Sequence, residues 1–115
     1  MNTPIASILM FLAASLFGAV GQFLYKSGAD SAGGSLSSYL LNVRILFGVV
    51  CYIAVMVLFV AAFKKGGQLS VLYPVYATTF IWAALIGWAA YGQTISPQNI
   101  AGMVLLIGGM YLMGV

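Results

Sequence analysis

The side chains of this sequence that are charged at neutral pH are few, and they limit the chemistry that it can perform. The sequence contains four Lys and Arg residues, one acidic residue and no histidine. These side chains are Lys26, Asp30, Arg44, Lys64 and Lys65. Metal sites and catalytic triads are built mainly from His, Cys and carboxylates, so this set predicts neither. We expect no metal, no cofactor and no catalytic residue, and we do not expect an enzyme.

The positions of these charges carry further information. Asp30 follows Lys26 by four residues, which predicts a surface ion pair on a helix. No acidic residue lies inside an apolar run, so a proton relay through an intramembrane carboxylate has no residue to use. The sequence has no basic run on a helix or among aromatics, and it therefore predicts no nucleic-acid partner.

Small and polar residues recur on one face of the first apolar run. Ser15, Gly18 and Gln22 are separated by three and four residues, and Tyr25 and Lys26 continue the stripe. An amide in hydrocarbon needs a hydrogen-bonding partner. Gln22 is therefore expected either to bond a neighbouring helix or to contact a substrate, and both interpretations stay open. Gly18 is expected to leave open space beside that amide.

A proline and two tyrosines mark the third apolar run as a second candidate region. Tyr73 and Tyr76 share a helix face. Pro74 lies one turn inside the helix, where it lacks an N–H and pushes away the carbonyl of Ser70. A carbonyl freed inside a membrane must face protein or a wet cavity. We therefore expect substrate contact at the tyrosines and a hinge at Pro74, with a plain packing kink as the alternative.

Glycines in the fourth apolar run predict a close contact between helices. Gly102 and Gly109 are seven residues apart and hence lie on one face. Small residues on one face let two membrane helices approach closely. We interpret these two glycines as a dimer interface, with internal packing as the alternative.

The composition identifies the bilayer as the environment of these elements. Of the 115 residues, 63% are hydrophobic and 4% are charged. A soluble domain carries roughly 25% charged residues, so this chain has too few charges to cover a surface in water. Its single domain is predicted to be an all-α integral membrane four-helix bundle that forms a dimer.

Four apolar runs define the predicted transmembrane helices, each long enough to cross a hydrocarbon core of about 30 Å. Asn2 and Thr3 are expected to cap the first helix, and Ser96 the fourth. Residues 35–41 are expected to start the second helix early. The predicted spans are residues 4–25, 45–63, 69–91 and 97–115.

Four segments of the sequence carry a resemblance to known membrane proteins. They are residues 18–26, which contain Gly21-Gln22 and Lys26; Tyr73-Pro74; residues 88–93; and the glycine-rich residues 102–109. Together they resemble the drug/metabolite transporter superfamily. Within it, the chain is similar to the four-helix small multidrug resistance (SMR) proteins, to EamA-like proteins and to the small subunits of the aminoarabinose-phosphoundecaprenol flippase. The resemblance implies a multi-pass protein of the bacterial inner membrane.

One position departs from the pattern of the SMR exporters. Those exporters hold an essential glutamate eight residues before the lysine, and Gly18 stands at that position here. Tyr76 corresponds to their substrate-facing tryptophan. The resemblance therefore implies the flippase-like branch, whose substrates are sugar-lipid phosphates, rather than proton-coupled export of cations.

Three functions follow as competing expectations. The first is a dimeric transporter of a small metabolite or a lipid-linked sugar phosphate. Its substrate would be bound by Gly18, Gln22, Tyr73, Pro74 and Tyr76, with Lys26 and Arg44 attracting an anionic headgroup. The second is efflux of hydrophobic or quaternary cations through contact with Tyr73, Tyr76 and Trp82. The third is a non-transporting partner subunit of a larger membrane complex.

The charged residues give the chain little preference for one orientation in the membrane. Lys26 and Arg44 lie at one end of the predicted bundle, and Lys64 and Lys65 lie at the other. The Lys and Arg count of the connecting segments sets orientation in membranes, and here the count is equal. The partner is therefore expected to be a second copy, antiparallel if insertion is dual, or a paralogue in a heterodimer.

The equal count predicts that the chain inserts in both orientations. Reporter fusions at the C-terminus, read from each side of the membrane, should label both faces. Labelling of one face alone would contradict this prediction and would favour a parallel dimer or a heteromer.

Overall fold

The computed structural model describes residues 3–114, and all of its regular elements are helices. No strand occurs among these residues. The helices are α1 (Ile5–Ser31), α2 (Leu36–Leu40), α3 (Val43–Lys65), α4 (Leu69–Val75), α5 (Thr78–Tyr91) and α6 (Pro97–Gly114). Three stretches are long and apolar enough to cross a membrane, namely Ile5–Ser31, Val43–Lys65 and Leu69–Tyr91. The predicted all-helical, multi-pass class is confirmed for this part of the chain.

The fourth apolar run is also helical, but its first turn is polar. α6 has 18 residues and begins with Pro97, Gln98 and Asn99. Ser96 caps it as predicted: its Oγ accepts the Asn99 N–H at 3.2 Å, and Asn99 Oδ1 accepts the Ser96 N–H at 2.9 Å. This reciprocal pair fixes the start of the helix. A fourth membrane span stays a prediction.

The first helix differs from its prediction at both ends. α1 continues to Ser31, beyond the predicted end near Tyr25, because residues 26–31 carry no proline and continue the helical hydrogen bonding. Thr3 does not cap it, since Pro4 is the N-cap residue and makes no side-chain cap bond. Asn2, the other expected cap, and Val115, the predicted last residue of the fourth helix, lie outside the described residues.

The second helix does not start early from residue 35. Ser35 instead caps a separate short helix, α2, and accepts a hydrogen bond from the Ser38 N–H. Asn42 then begins α3 by accepting the N–H groups of Arg44 and Ile45. Two capping side chains within eight positions therefore divide the segment into two helices.

The tightest helix contact in the fold joins α1 to α3. A Cβ on Gly21 would lie 2.8 Å from the Tyr52 ring, and a Cβ on Gly48 would lie 2.6 Å from the Tyr25 ring. These two rings stack with centroids 5.3 Å apart and planes 5° from parallel. The missing side chains thus let two aromatic rings lie flat between the helices.

The other end of the α1–α3 pair contains the small core of the bundle. Phe11, Ala62 and Leu72 are fully buried there. Ser7 is also buried, and its hydroxyl lies 2.9 Å from the Ala62 carbonyl and 2.8 Å from the Gly66 carbonyl. The serine therefore ties α1 to the C-terminal end of α3, where the Ala62 carbonyl also accepts the Gly66 N–H.

The third span is interrupted close to its proline, as predicted. α4 ends at Val75, α5 begins at Thr78, and Tyr76 and Ala77 between them form a turn. Pro74 cannot donate a hydrogen bond to the preceding turn, which explains the break at this point. The two halves of the span can consequently follow different axes.

Helix α5 packs against α1 through a hydrogen bond near its start and aromatic contacts near its end, where the ring centroids of Phe23 and Tyr91 lie 5.8 Å apart. The indole N–H of Trp82 donates to Ser15 Oγ at 3.1 Å, and Ser15 in turn donates to the Leu12 carbonyl. Helix α6 lies outside this assembly, packs chiefly against α4, and has no buried residue. Helix α6 therefore lies at the edge of the bundle.

Gly48→Ala should weaken the α1–α3 contact. The added methyl would meet the Tyr25 ring, which cannot move easily because it stacks on Tyr52. We expect a loss of about 1–3 kcal/mol in the free energy of unfolding, the usual cost of an overpacked core. Thermal unfolding in detergent measures the change. Gly108→Ala is the matched control, since no atom lies within 4 Å of its added Cβ. An equal effect of both substitutions would contradict the prediction.

Candidate substrate cavity

Three of the residues singled out from the sequence line one cavity. Gln22 from α1, Tyr73 from α4 and Tyr76 from the turn face a space of about 430 Å³. Tyr52 of α3 closes another side of it. Thr79, Phe80, Ala77 and Ala83 complete the lining. The cavity therefore has an aromatic and polar wall with no charged side chain in its lining.

Gln22 is the polar group most available to a ligand in this cavity. Its side chain is exposed and lies beside the Tyr52 hydroxyl, and none of the side-chain hydrogen bonds within residues 3–114 that meet ordinary geometry involves it. The residue also lines a second, smaller space between α1 and α5. An amide with free donors and acceptors in an apolar span is suited to bind a polar substrate group.

Gly18 plays a different part from the one expected. The Tyr76 hydroxyl stands where a Cβ of Gly18 would be, and Thr79 Oγ1 lies 3.4 Å from the same point. The expected open space beside Gln22 is therefore filled by Tyr76, and that expectation was wrong. Gly18 is buried and admits the tyrosine against α1, while its carbonyl accepts the Tyr52 hydroxyl at 3.3 Å.

Tyr52 is the cavity residue that sequence reasoning missed. It lies in the second span, and no polar stripe or proline on that run drew attention to it. Its ring packs against Gly21 and stacks on Tyr25, and its hydroxyl reaches Gly18. A tyrosine well inside an apolar helix was the available signal, because such a hydroxyl needs a partner in hydrocarbon.

Tyr73 and Tyr76 form an ordered aromatic pair on the cavity wall. Their rings are stacked, with centroids 6.2 Å apart and planes 9° from parallel. The Tyr76 ring also meets Phe59 edge to face, with centroids 5.0 Å apart. Pro74 lies between the two tyrosines in sequence and does not line the cavity. Pro74 instead causes the break in the third span, and this break sets the positions of the two tyrosines.

Lys26 lies beside the smaller space, which has a volume of about 140 Å³. Its Nζ atom lies 3.4 Å from Asp30 Oδ2, which confirms the predicted ion pair, and 5.3 Å from the centroid of the Tyr91 ring. Gln93 folds back over Gly87 and lines the same space. Gln22 therefore lines both spaces, one with no charged side chain in its lining and one with Lys26 in its lining.

Two other residues from the sequence-based sites lie elsewhere. Arg44 donates a hydrogen bond to Ser27 Oγ at 2.9 Å and lines neither of these two spaces. Trp82, expected to contact a cation, instead donates to Ser15 and is absent from the cavity lining. The hypothesis of cation efflux therefore has no support from Trp82, because this tryptophan does not line the cavity.

The two glycines of the expected dimer interface lie on the outer helix. No atom lies within 4 Å of a Cβ built on Gly102 or on Gly109. Gly102 lies in a shallow groove between α5 and α6, and Gly109 is exposed. Neither glycine is needed for packing within the chain, which leaves both free for another molecule.

The chain is similar to small bacterial transport proteins. It is 27% identical over 110 residues to the probable 4-amino-4-deoxy-L-arabinose-phosphoundecaprenol flippase subunit ArnE of Erwinia tasmaniensis, a match that covers 94% of this chain and 96% of that protein. It is 35% identical over 72 residues to the spermidine export protein MdtI of Salmonella paratyphi B and of Salmonella newport. That match covers 60% of this chain and 66% of those proteins.

The chain is similar to small SMR-type membrane proteins. The near full-length match to the flippase subunit carries this similarity, and it confirms the resemblance inferred from the sequence motifs. No family model and no solved structure matches the chain. The similarity to SMR-type proteins therefore rests on related sequences, whereas the arrangement of the cavity is described from the structure of this chain.

The contact between Gly18 and Tyr76 predicts a rescue experiment. Gly18→Ala should lower the free energy of unfolding by about 1–3 kcal/mol, because the methyl collides with the tyrosine hydroxyl. Adding Tyr76→Phe removes that hydroxyl and should restore part of the loss, by about 0.5–3 kcal/mol of coupling. Thermal unfolding of the two single variants and the double variant gives the coupling. Strictly additive losses would show that the two residues are not in contact.

Proposed function

We propose that this SMR-like chain is a membrane transporter that works as a dimer and moves a small metabolite or a lipid-linked sugar phosphate across the membrane. The cavity between α1, α3, α4 and the start of α5 carries the proposal. Both relatives are bacterial proteins, so the compartment we propose is the bacterial inner membrane. We also propose that the chain performs no covalent chemistry, since its sequence lacks histidine and glutamate.

The lining of the two spaces supports a substrate with a hydroxylated part and an anionic part. Gln22 and the tyrosine hydroxyls can donate to and accept from sugar hydroxyls. Lys26, in the adjoining space, supplies a positive charge that attracts a phosphate. The charge lies toward the end of α1, where a lipid headgroup also lies. A lipid-linked substrate could therefore keep its tail in the bilayer while its polar part enters the cavity.

The dimer is part of the proposal because one chain gives the cavity little enclosure. Four short helices surround a space that stays open on one side in the isolated chain. A second copy in the opposite orientation would supply the inverted repeat on which many transporters are built. A paralogue could serve in the same way, and the ArnE relative is itself named a subunit. Gly102 and Gly109 offer the close-contact face for either partner.

A second candidate function is export of an organic cation. The observation that favours it is the 35% identity to the spermidine export protein. Aromatic faces attract cations even where no carboxylate is present, and Tyr73, Tyr76 and Phe80 supply such faces. The charge on Lys26 opposes this function, because it repels a cation that enters the adjoining space.

The two candidates can be separated in vesicles. The purified chain is reconstituted, and translocation of a short-chain polyprenyl phosphate sugar is compared with uptake of spermidine. We expect transport of the phosphate-linked sugar alone. Transport of spermidine alone would favour the second candidate. Absence of both, in a correctly folded dimer, would favour a non-transporting partner subunit.

Gln22→Ala should weaken substrate binding without unfolding the protein. The exposed amide lies beside the Tyr52 hydroxyl of α3, but that hydroxyl bonds the Gly18 carbonyl, so loss of the amide should leave the melting temperature almost unchanged. We expect substrate affinity to fall about tenfold, the scale of one lost hydrogen bond to a polar or charged group. Binding is measured by titration and stability by thermal unfolding.

Gln68→Ala is the matched control for that experiment. Gln68 is an exposed glutamine at the start of α4, makes no side-chain cap bond and lines neither space. It should retain wild-type binding. If Gln22→Ala instead lowers stability by about 1–2 kcal/mol, and binding falls only with the amount of folded protein, the glutamine is an interhelical bond and not a substrate contact.

The dimer contact predicts that Gly109→Leu converts dimers into monomers in detergent. A leucine side chain on that face would hold two helix backbones apart. Gly108→Leu, on the neighbouring face of α6, is the control and should remain dimeric. Sizes are measured by light scattering after gel filtration. Unchanged size of the Gly109 variant would place the contact on another helix.

A further inference from the structure

The cations at the two ends of the bundle differ in what balances them. At one end, Lys26 pairs with Asp30 and Arg44 bonds Ser27. At the other end, Lys64 and Lys65 close the last turn of α3 and are exposed. Asp30 is the single acidic side chain of the sequence, so no acidic side chain remains for these two lysines. Their counter-charge must come largely from outside the chain.

One of the two lysines stands at the end of an apolar groove on the outer face of α3. The groove has a volume of about 350 Å³ and is lined by Met56, Val57, Val60, Ala61 and Lys64. Lys65 does not line it. The groove residues Met56, Val57 and Val60 are 58%, 56% and 63% exposed.

The groove faces away from every site described above. Val55 and Ala62, which are buried, lie on the opposite side of α3, toward α1. The proposed dimer face lies on α6, which packs chiefly against α4. An apolar groove on this side of a spanning helix is therefore in contact with the hydrocarbon of the bilayer.

We infer that this groove binds one anionic phospholipid, with an acyl chain along Met56, Val57, Val60 and Ala61 and the headgroup phosphate on Lys64. The site is separate from the transport cavity and does not rest on the proposed function. Charge complementarity selects the occupant: the groove ends in a lysine that lacks an acidic partner among residues 3–114. A neutral lipid would fill the apolar part and leave the ammonium unpaired.

The dimensions fit a lipid of one leaflet. From Met56 to Lys64 the helix rises about 12 Å. Half of a hydrocarbon core is about 15 Å thick, so a groove of this length that ends in a lysine at the helix terminus covers most of one leaflet. The lysine stem can lie along the acyl chain while its ammonium reaches the phosphate.

The test measures binding of dioleoyl phosphatidylglycerol to the detergent-solubilised full chain by native mass spectrometry, with dioleoyl phosphatidylcholine as the neutral probe. Lys64→Gln should weaken binding of the first phosphatidylglycerol about fivefold, the contribution of one lysine near a negatively charged lipid surface. Lys65→Gln is the matched control and should change it less than Lys64→Gln does. Phosphatidylcholine binding should not change in either variant.

A second pair of variants tests the groove itself with both lysines in place. Val57→Trp fills the groove and should weaken binding of both lipids, whereas Val50→Trp, an equally exposed position of α3 outside the groove, should not. Equal losses in the two lysine variants, with no effect of Val57→Trp, would overturn the inference and indicate diffuse attraction to anionic lipids. A change of oligomeric size in Val57→Trp would likewise overturn it, by showing that a second protein chain covers the groove.

Discussion

The close approach of α1 to α3 is the contact on which the rest of the structure depends. Gly21 and Gly48 bring the two backbones together, and the rings of Tyr25 and Tyr52 lie in the space so created. Tyr52 is thereby held with its hydroxyl on the Gly18 carbonyl. A larger residue at either glycine would displace that ring and with it one wall of the cavity. The position of that cavity wall thus depends on two missing side chains.

The second notable constraint is that the cavity is polar without being charged. In a bilayer a buried charge is expensive unless it is paired, and this chain has a single carboxylate, which is committed to Lys26. Under the proposed function, recognition would therefore rely on hydrogen bonds and aromatic contact. A site that bonds hydroxyl or amide groups rejects molecules that lack them, because its own polar groups are then left unpaired. Selectivity can thus be high although electrostatic attraction is confined to the edge of the site.

The sequence was most informative where a single residue type dictates backbone geometry or solvation. Pro74 predicted the break in the third span, and Ser96 predicted the start of α6. Periodicity singled out Gln22 on the first span and Tyr73 and Tyr76 on the third, and the structure places all three on one cavity. The extension of α1 to Ser31 was not predicted, because polar residues can end a span without ending its helix.

The errors concerned distances between helices, which a single sequence does not reveal. Gly18 was expected to leave a gap, yet Tyr76 from another helix fills it. Trp82 was named as a cation contact under the alternative of cation efflux, yet its indole bonds Ser15. Tyr52 was overlooked because nothing beside it in the sequence is unusual. Each depends on how two helices face each other, and helix periodicity describes only one helix at a time.

Because α6 lies at the edge of the bundle, the residues on its outer face are different from the residues that line the cavity. The helix contributes to neither of the two spaces that contain Gln22, and its glycines are not needed for packing within the chain. Changes on its outer face can therefore accumulate without altering what the cavity binds. If the proposed dimer forms through this face, a gene duplication followed by a few substitutions in this one helix would be sufficient to turn two identical partners into an obligate pair.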